Sequence, residues 1–75
     1  MTVQINEPEQ RTLAAIIVYQ SEHSFSPSLR DLARICSYSP SAIRKHLQRL
    51  EAAGMIVVEG GKARGIRVLR SGAAD

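Results

Sequence analysis

Four polar side chains between residues 41 and 48 have the types and the spacing needed to bind nucleic acid. They are Ser41, Arg44, Lys45 and Gln48. On a helix, at about 100° per residue, Ser41, Lys45 and Gln48 lie opposite a stripe that contains Ile43, and Arg44 lies on the flank of this polar side. Arginine and lysine can donate to guanine, and glutamine can pair with adenine, in the major groove of DNA. A helix with this surface can enter that groove, although the pattern also fits an ordinary solvated helix surface.

A second group of cations follows a pair of glycines. Lys62 and Arg64 lie in the segment 60–65, and Arg67 comes three residues after Arg64. The segment lacks the spacing of a phosphate-binding loop that opens a helix, which argues against a nucleotide site. A glycine-rich turn with small and cationic side chains suits contacts to the DNA backbone along or in a neighbouring minor groove. A solubilising hairpin is the simpler alternative.

The polar helix surface requires a helix with clear ends. Ser39 followed by Pro40 is a strong helix start, and Gly54 is a strong stop. We therefore predict a helix over residues 40–53. Because helix N-termini present free N–H groups to phosphate, Ser39 is a candidate backbone contact, and Arg49, on the flank of the polar side, is another.

A shorter helix precedes this one. Ser28 and Asp31 have the spacing of a capping box, and the apolar residues after them predict a helix from residue 29 to residue 35 or 36. Ser28 is a further candidate for a contact with the DNA backbone. Two helices joined by so short a turn are typical of a helix-turn-helix.

The first helix is predicted over about residues 7–21. Asn6 is its cap, and Glu9 lies where a carboxylate can complete the cap. A loop with serine and proline follows over residues 22–27. We expect Phe25 in this loop to fold back onto the core.

β-branched residues on both sides of the glycine-rich segment predict a two-stranded hairpin. The residues expected to face the helices are Ile56, Val58, Ile66 and Val68. The predicted fold class is mainly α with a small β-hairpin, a three-helix winged helix-turn-helix. We assign residues 1–70 to this domain and residues 71–75 to a flexible tail or linker.

Positive charge is concentrated after the first helix. Residues 1–27 have a net charge of −2, whereas residues 28–70 contain nine arginines and lysines and three acidic residues, a net charge of +6. The whole chain has a net charge of +3 and a pI near 9.6. A basic region of this kind indicates a polyanionic partner, because it raises the local concentration of phosphate backbone.

The sequence argues against an enzyme and against a metal site. A chain of 75 residues is too small to enclose a deep pocket, and it contains no Ser/His/Asp set, HExxH motif or close carboxylate pair. His23 and His46 lack neighbouring ligands, and the single Cys36 cannot form an internal disulfide. We expect no catalytic residue, no metal and no cofactor, with Cys36 buried and His46 packed near Tyr38.

Localisation is predicted from what the sequence lacks. Its first residues do not form the basic and apolar regions of a signal peptide, and no apolar run is long enough to span a membrane. A single cysteine agrees with a reducing compartment. We expect a cytoplasmic, nucleoid-associated protein with no membrane partner.

Several motifs together resemble those of one family. They are the segments 26–33 (SPSLRDLA), 39–42 (SPSA), 46–47 (HL), 54–56 (GMI) and 63–69 (ARGIRVL), together with Leu50. This combination resembles the N-terminal winged helix-turn-helix DNA-binding domain of the LexA repressor family over residues 5–70. The resemblance implies that the third helix contacts an operator as part of a dimer that represses transcription.

The resemblance also implies which residues contact bases. The positions that match the family's base contacts are Ser39, Ser41, Ala42, Arg44 and Lys45. The best-known members have an asparagine and two acidic residues where Ser41, Arg44 and Lys45 stand here. This difference favours guanine edges or phosphates over cytosine amino groups, so we do not expect the family's usual operator.

Two functions from different classes are compatible with these features. The first is sequence-specific binding of double-stranded DNA in transcriptional regulation, with a homodimer on a two-fold operator as the implied assembly. The second is a winged-helix module that binds another protein through apolar residues around Tyr19, Phe25 and Val57. The family's self-cleaving peptidase domain, which also supplies dimerisation, has no counterpart here, so we expect either an excised domain or a small stand-alone regulator.

Overall fold

The computed structural model describes residues 5–59 and 65–69, which form three helices and a two-stranded hairpin. In chain order the elements are α1 (Glu7–His23), α2 (Leu29–Cys36), α3 (Pro40–Ala52), β1 (Ile56–Val58) and β2 (Ile66–Val68). This architecture confirms the predicted fold class, a mainly helical chain with the element order of a winged helix-turn-helix.

α1 begins with the predicted cap and ends two residues later than predicted. Asn6 Oδ1 accepts the N–H of Glu9, and Glu9 Oε1 accepts the N–H of Asn6, both at 3.0 Å. The rings of Tyr19 and His23, four residues apart, stack with their centroids 4.0 Å apart, a contact that favours the two additional helical residues. Ser24 then ends α1 in the left-handed conformation, with φ of 64°.

A short turn connects α2 to α3. Ser28 and Asp31 form the predicted capping box at the start of α2. Ser37, with φ of 60°, ends α2 in the left-handed conformation. Two residues later Ser39 caps α3, where its Oγ accepts the N–H of Ala42 at 3.1 Å. The helix-turn-helix is therefore defined by side-chain caps on both of its helices.

α3 ends at Ala52, one residue before the predicted end. Gly54 has φ of 77°, a left-handed conformation that glycine adopts without the strain of a Cβ atom. Met55 then donates its N–H to the carbonyl oxygen of Leu50 at 3.0 Å. This closed turn directs the chain from α3 straight into β1.

One core joins the helices and the hairpin. Its buried apolar residues are Leu13, Ile16, Leu32, Cys36, Ile43, Leu47, Leu50, Ile56 and Ile66. α3 packs against α1, α2 and β1, so it contacts most of the fold. Cys36 lies within this core, as predicted.

The prediction that Phe25 folds back onto the core is wrong. Its side chain is 48% exposed, and its ring packs edge-on against Tyr19 with a centroid distance of 5.8 Å. The buried positions of this loop are occupied by Ser26 and Pro27 instead. Because these next two residues turn inward, Phe25 remains at the surface beside the end of α1.

The hairpin faces the helices with its predicted side. β1 and β2 are antiparallel, with Ile56 opposite Val68 and Val58 opposite Ile66. Ile56 and Ile66 are buried, and the two valines pack against the core while partly exposed. Both cross-strand pairs therefore contribute to the interface with the helical part.

Among the described residues, hydrogen bonds attach the hairpin to the helices and to the loop after α1. Gln20 Nε2 donates to the carbonyl oxygen of Ile66 at 3.0 Å, and the N–H of Ile66 donates to Ser26 Oγ at 3.4 Å. The N–H of Val58 donates to Glu51 Oε2 at 3.3 Å. A two-stranded hairpin is marginal in water by itself, so these hydrogen bonds and the shared core are what hold it in place.

Other expectations from the sequence concern domain limits, membranes and metals. The predicted boundary between residues 1–70 and 71–75 lies outside the described residues. None of the helices within the described part is long and apolar enough to cross a membrane. Residues 5–59 and 65–69 also contain no group of three His, Cys, Asp or Glu side chains placed to hold a metal ion.

Candidate nucleic-acid interface

The outward side of α3 is polar, cationic and open to solvent. We call the exposed residues Ser41, Arg44, Lys45 and Gln48 the polar face. Ala42, another residue predicted to contact bases, is half-buried beside them. The one acidic residue of α3, Glu51, lies in its last turn. The first turns of the helix therefore present positive charge without a carboxylate from α3 itself.

The opposite side of α3 holds the polar face outward. Ile43 and Leu50 are fully buried, and Leu47 is 7% exposed. A rotation of the helix would expose these three apolar side chains to water. Each exposure is unfavourable in free energy, so the helix keeps its orientation. The predicted division of α3 into a buried side and an exposed side is thus confirmed.

Two of the predicted backbone contacts are serines at helix N-termini. Ser39 is exposed, and its Oγ accepts the N–H of Ala42 in the cap of α3. Ser28 is half-buried, and its Oγ accepts the N–H of Asp31 at 3.1 Å in the cap of α2. In each case the cap uses the hydroxyl as an acceptor, and the O–H can still donate to a phosphate oxygen.

Arg49, also predicted to contact the DNA backbone, joins α3 to α1. Its Nε donates to Oε2 of Glu9, whose other carboxylate oxygen caps α1. The Glu9 side chain is 1% exposed, whereas that of Arg49 is 63% exposed. Only the capping role of Glu9 was predicted from the sequence, and this ion pair was missed. A signal was present, because Glu9 heads the buried stripe of Leu13 and Ile16, and a carboxylate at such a position requires a partner.

His46 provides a second polar contact between α3 and α1. Its Nδ1 lies 2.9 Å from Thr12 Oγ1, which in turn lies 3.0 Å from the carbonyl oxygen of Pro8. The hydroxyl has a single hydrogen, so if it bonds Pro8 then Nδ1 is the donor to Thr12. The ring of Tyr38 meets the His46 ring edge-on at 5.0 Å, as predicted. The contact with Thr12 was not predicted, since the two residues are 34 positions apart.

On the hairpin, one of the three predicted backbone contacts lies within the described residues. Arg67 is exposed on β2, opposite Val57 in the strand register, and its Nη1 is 3.9 Å from Glu59 Oε2. A surface ion pair of this length contributes little free energy, so a phosphate can replace the carboxylate. Lys62 and Arg64 lie outside the described residues.

A cleft of about 310 Å³ lies between α3 and the hairpin. Its apolar lining residues include Leu29, Leu47 and Ile66, and two members of the polar face, Arg44 and Gln48, also line it. The hairpin therefore lies next to the polar face.

Cys36 is a free cysteine whose thiol is buried. Burial raises the pKa of its thiol above the ordinary value of 9.0, against the smaller opposing effects of a hydrogen bond with Thr12 and the charge of Arg11. A thiol with a raised pKa forms little of the reactive thiolate at neutral pH. The predicted role of Cys36 as a small buried apolar residue fits this environment.

The residues that the protein-interaction alternative invokes do not form one group in the structure. Tyr19, His23 and Phe25 form a cluster of rings at the end of α1. Val57 is half-buried on β1, outside the ring contacts of this cluster. Within the described residues, Phe25 is exposed in this cluster, and Val18, Ile35 and Leu69 are further large apolar residues that are exposed elsewhere.

Comparison with known proteins identifies relatives of this chain. Residues 6–65 match the family described as the LexA DNA binding domain. The chain is also similar to a LexA repressor from Pseudothermotoga lettingae, with 32% identity over 69 residues, which cover 92% of this chain and 34% of the relative. The chain thus spans about a third of the length of that curated relative.

Proposed function

Because this chain belongs to the family of LexA DNA-binding domains, we propose that it binds double-stranded DNA in a sequence-specific manner and regulates transcription. In this proposal α3 enters the major groove and the hairpin contacts the DNA beside it. The observation that carries the proposal is the polar face, which is exposed, cationic and held outward by the buried residues on the other side of α3.

The polar face supplies the groups for base contacts. Arg44 and Lys45 are donors suited to guanine O6 and N7, and Gln48 can pair with the N6 and N7 atoms of adenine. Ser41 and Ala42, near the N-terminus of α3, are short enough to let the helix backbone come close to the groove. Donors at positions 44 and 45 favour guanine edges over the cytosine amino groups that acidic residues would select.

Contacts with the phosphate backbone fix the orientation of α3 in the groove. We assign these contacts to Ser28, Ser39, Arg49, Lys62, Arg64 and Arg67. The serines lie at helix N-termini, where hydroxyl and N–H donors converge on an anion. Of the basic residues of the hairpin, Arg67 is exposed on β2 and adds a further cation.

Repression and dimerisation are further parts of the proposal. The relative from Pseudothermotoga lettingae is named a repressor, but it is about three times as long as the aligned segment. We propose that this chain also represses transcription, by occupying its operator rather than by catalysis. A homodimer on a two-fold operator would raise the affinity of a domain that by itself contacts one half-site.

Selection from a random pool of duplexes, followed by a salt titration, tests the proposal. The selected duplexes should share a motif, and the logarithm of the binding constant should fall linearly with the logarithm of salt concentration. About four to six phosphate contacts predict a slope of roughly −4 to −5, since each contact contributes about −0.9.

The same experiment separates DNA binding from the protein-interaction alternative. A winged-helix module whose basic residues are only solvated would leave the pool without an enriched motif and would show little dependence on salt. Enrichment with the steep slope supports the DNA-binding role. A flat slope together with an unenriched pool would refute the DNA-binding role.

A further inference from the structure

We propose that Glu9 is a positioning residue for DNA binding, because it orients the guanidinium of Arg49 toward a phosphate. This inference rests on the proposed function and assigns a role to a side chain that does not itself contact DNA. The central observation is that one buried carboxylate on α1 bonds the Nε of an exposed arginine on the flank of α3.

Both oxygens of Glu9 are engaged within the protein. Oε1 accepts the N–H of Asn6 at 3.0 Å, which completes the cap of α1. Oε2 accepts the Nε–H of Arg49. Because Glu9 is 1% exposed, water competes little for either oxygen, and the carboxylate is held in one orientation by its place in the helix cap.

This fixed carboxylate determines the direction of the Arg49 guanidinium. The group is planar, and a carboxylate bound at Nε lies on the side that Nε shares with one Nη atom, so the donors of the other Nη atom point away from Glu9. The Arg49 side chain is 63% exposed, so these donors can reach a ligand outside the protein. Arg49 lies one residue after Gln48 of the polar face, at the flank expected to meet the phosphate backbone.

Holding the Arg49 guanidinium in place before DNA binds should strengthen binding. A free arginine side chain loses rotamer freedom when it binds a phosphate, and that entropy loss weakens binding. A side chain already held by Glu9 has lost much of this freedom when the protein folds. The charge of Glu9 acts in the opposite direction, since a carboxylate near DNA repels phosphates.

These two effects predict opposite results when Glu9 is neutralised. If Glu9 only attaches α1 to α3, Glu9→Gln removes a negative charge, and a folded variant should bind DNA as tightly as before or more tightly. If Glu9 positions Arg49, the same variant should bind more weakly although its net charge is more positive. The sign of the change therefore separates a positioning role from a structural one.

Glu7→Gln is the matched control. Glu7 lies in the same first turn of α1, but its side chain is 83% exposed and its ion pair with Arg11, at 3.7 Å, lies within one helix. Each substitution makes the protein more positive by the same amount. Binding to a mixed-sequence DNA duplex is measured for both over a range of salt concentrations, after a thermal melt has shown that each variant is folded.

Glu9→Gln should bind about three- to tenfold more weakly than wild type, with a salt slope shallower by about 0.9, as expected when one phosphate is no longer neutralised. Glu7→Gln should keep the wild-type slope and an equal or slightly higher affinity. Arg49→Ala should reproduce the weaker binding, and Glu9→Gln should weaken binding no further in the Arg49→Ala background. Equal affinities and slopes for the two glutamine variants would overturn the proposal.

The wild-type protein provides a readout if Glu9→Gln fails to fold. The Nε–H of Arg49 should give an NMR signal that exchanges slowly with water, both free and bound to the duplex, whereas the exposed Arg44 serves as the fast-exchanging reference in the free protein. Loss of the slow Arg49 signal in the complex would contradict the proposal. A wild-type protein that binds no duplex would instead overturn the proposed function itself.

Discussion

The two sides of α3 share one backbone and one pair of helix ends, yet their side chains depend on different partners. Ile43 and Leu50, on the inner side, are fully buried against the rest of the fold. Lys45 and Gln48, on the outer side, are exposed to solvent. The inner residues therefore determine whether the domain folds and how α3 is rotated. The outer residues are free to determine what it binds.

The edges of α3 join these two roles. Arg49 and His46 lie between the buried and exposed sides, and each contacts α1, through Glu9 and Thr12 respectively. A change at an edge position should affect both stability and binding, whereas a change at the centre of either side should affect one of them. Substitutions on the inner side, on the outer side and at the N-terminus of α3 test this separation.

The largest expected effect is on stability, from the inner side. Ile43→Ala should lower the free energy of unfolding by about 2–5 kcal/mol, because it removes buried methyl and methylene groups and leaves a cavity. A domain of this length has a stability of roughly 4–11 kcal/mol, so the decrease should be evident in urea unfolding. Operator preference should remain unchanged in the fraction that is folded.

Ile35→Ala is the control for this change. Ile35 is also a helical isoleucine, but it is 50% exposed on α2, and its truncation should change stability by about 0.5 kcal/mol or less. Equal destabilisation by the two variants would mean that the inner side of α3 is not the dominant contribution to the core.

The next effect is on base preference, from the outer side. Lys45→Ala or Gln48→Ala should reduce discrimination between the selected operator and its single-base variants by about 1–3 kcal/mol if the side chain makes a good base contact. Stability should change by no more than about 0.5 kcal/mol, because both side chains are exposed. Competition binding with single-base variants of the operator measures this discrimination.

Two other variants control for charge. Arg11→Ala removes an exposed cation from α1 and should leave base preference intact. Arg64→Ala should weaken binding to all sequences alike, as expected for a residue that contacts the DNA backbone. A change of base preference in Arg64→Ala would place that residue among the base contacts instead.

A smaller effect is predicted at the N-terminus of α3. Ser39→Ala should destabilise the domain by about 0.5–2 kcal/mol, because the N–H of Ala42 loses its acceptor. Ser39→Asp should keep the cap and its stability but weaken DNA binding, since the carboxylate repels phosphate. Unfolding and DNA-binding curves of the two variants separate capping from phosphate binding. Unchanged DNA affinity in Ser39→Asp would show that this helix end does not meet the backbone.

The smallest effect is a pH dependence from Cys36. Burial raises the pKa of its thiol in the folded chain, whereas the unfolded thiol ionises near 9.0. The contribution of the neutral thiol to stability is fully present below that pH and is lost as the pH rises through the folded pKa. Urea unfolding of wild type and Cys36→Ala at several alkaline pH values should show a steeper decline for wild type. Parallel declines would contradict the raised pKa.

Most of the fold could be predicted because its signals are local. Each helix begins at a polar cap, and the end of α3 shortly before Gly54 follows from the left-handed conformation of that glycine. The buried stripe of α3 follows from helical spacing alone. These features depend on residues within a few positions of one another, so they can be predicted from the local sequence pattern.

The contacts that could not be predicted connect distant parts of the chain. The pairs Glu9–Arg49 and Thr12–His46 depend on how α1 packs across α3, which no local pattern specifies. The placement of Phe25 failed for a related reason, since burial of Ser26 and Pro27 decides which loop side chain turns inward. In the candidate site, the residue types on α3 were predictable, whereas their attachment to α1 was not.

DNA binding by the polar face can be examined residue by residue in an NMR titration of the protein with its selected operator. We predict that the largest shifts occur in the backbone and side-chain signals of Ser41, Arg44, Lys45 and Gln48, with smaller shifts along β2. Exposed apolar residues elsewhere, such as Val18 on α1 and Ile35 on α2, should shift little. Shifts centred on Val18 and Ile35, with the outer side of α3 unaffected, would contradict DNA binding by this helix.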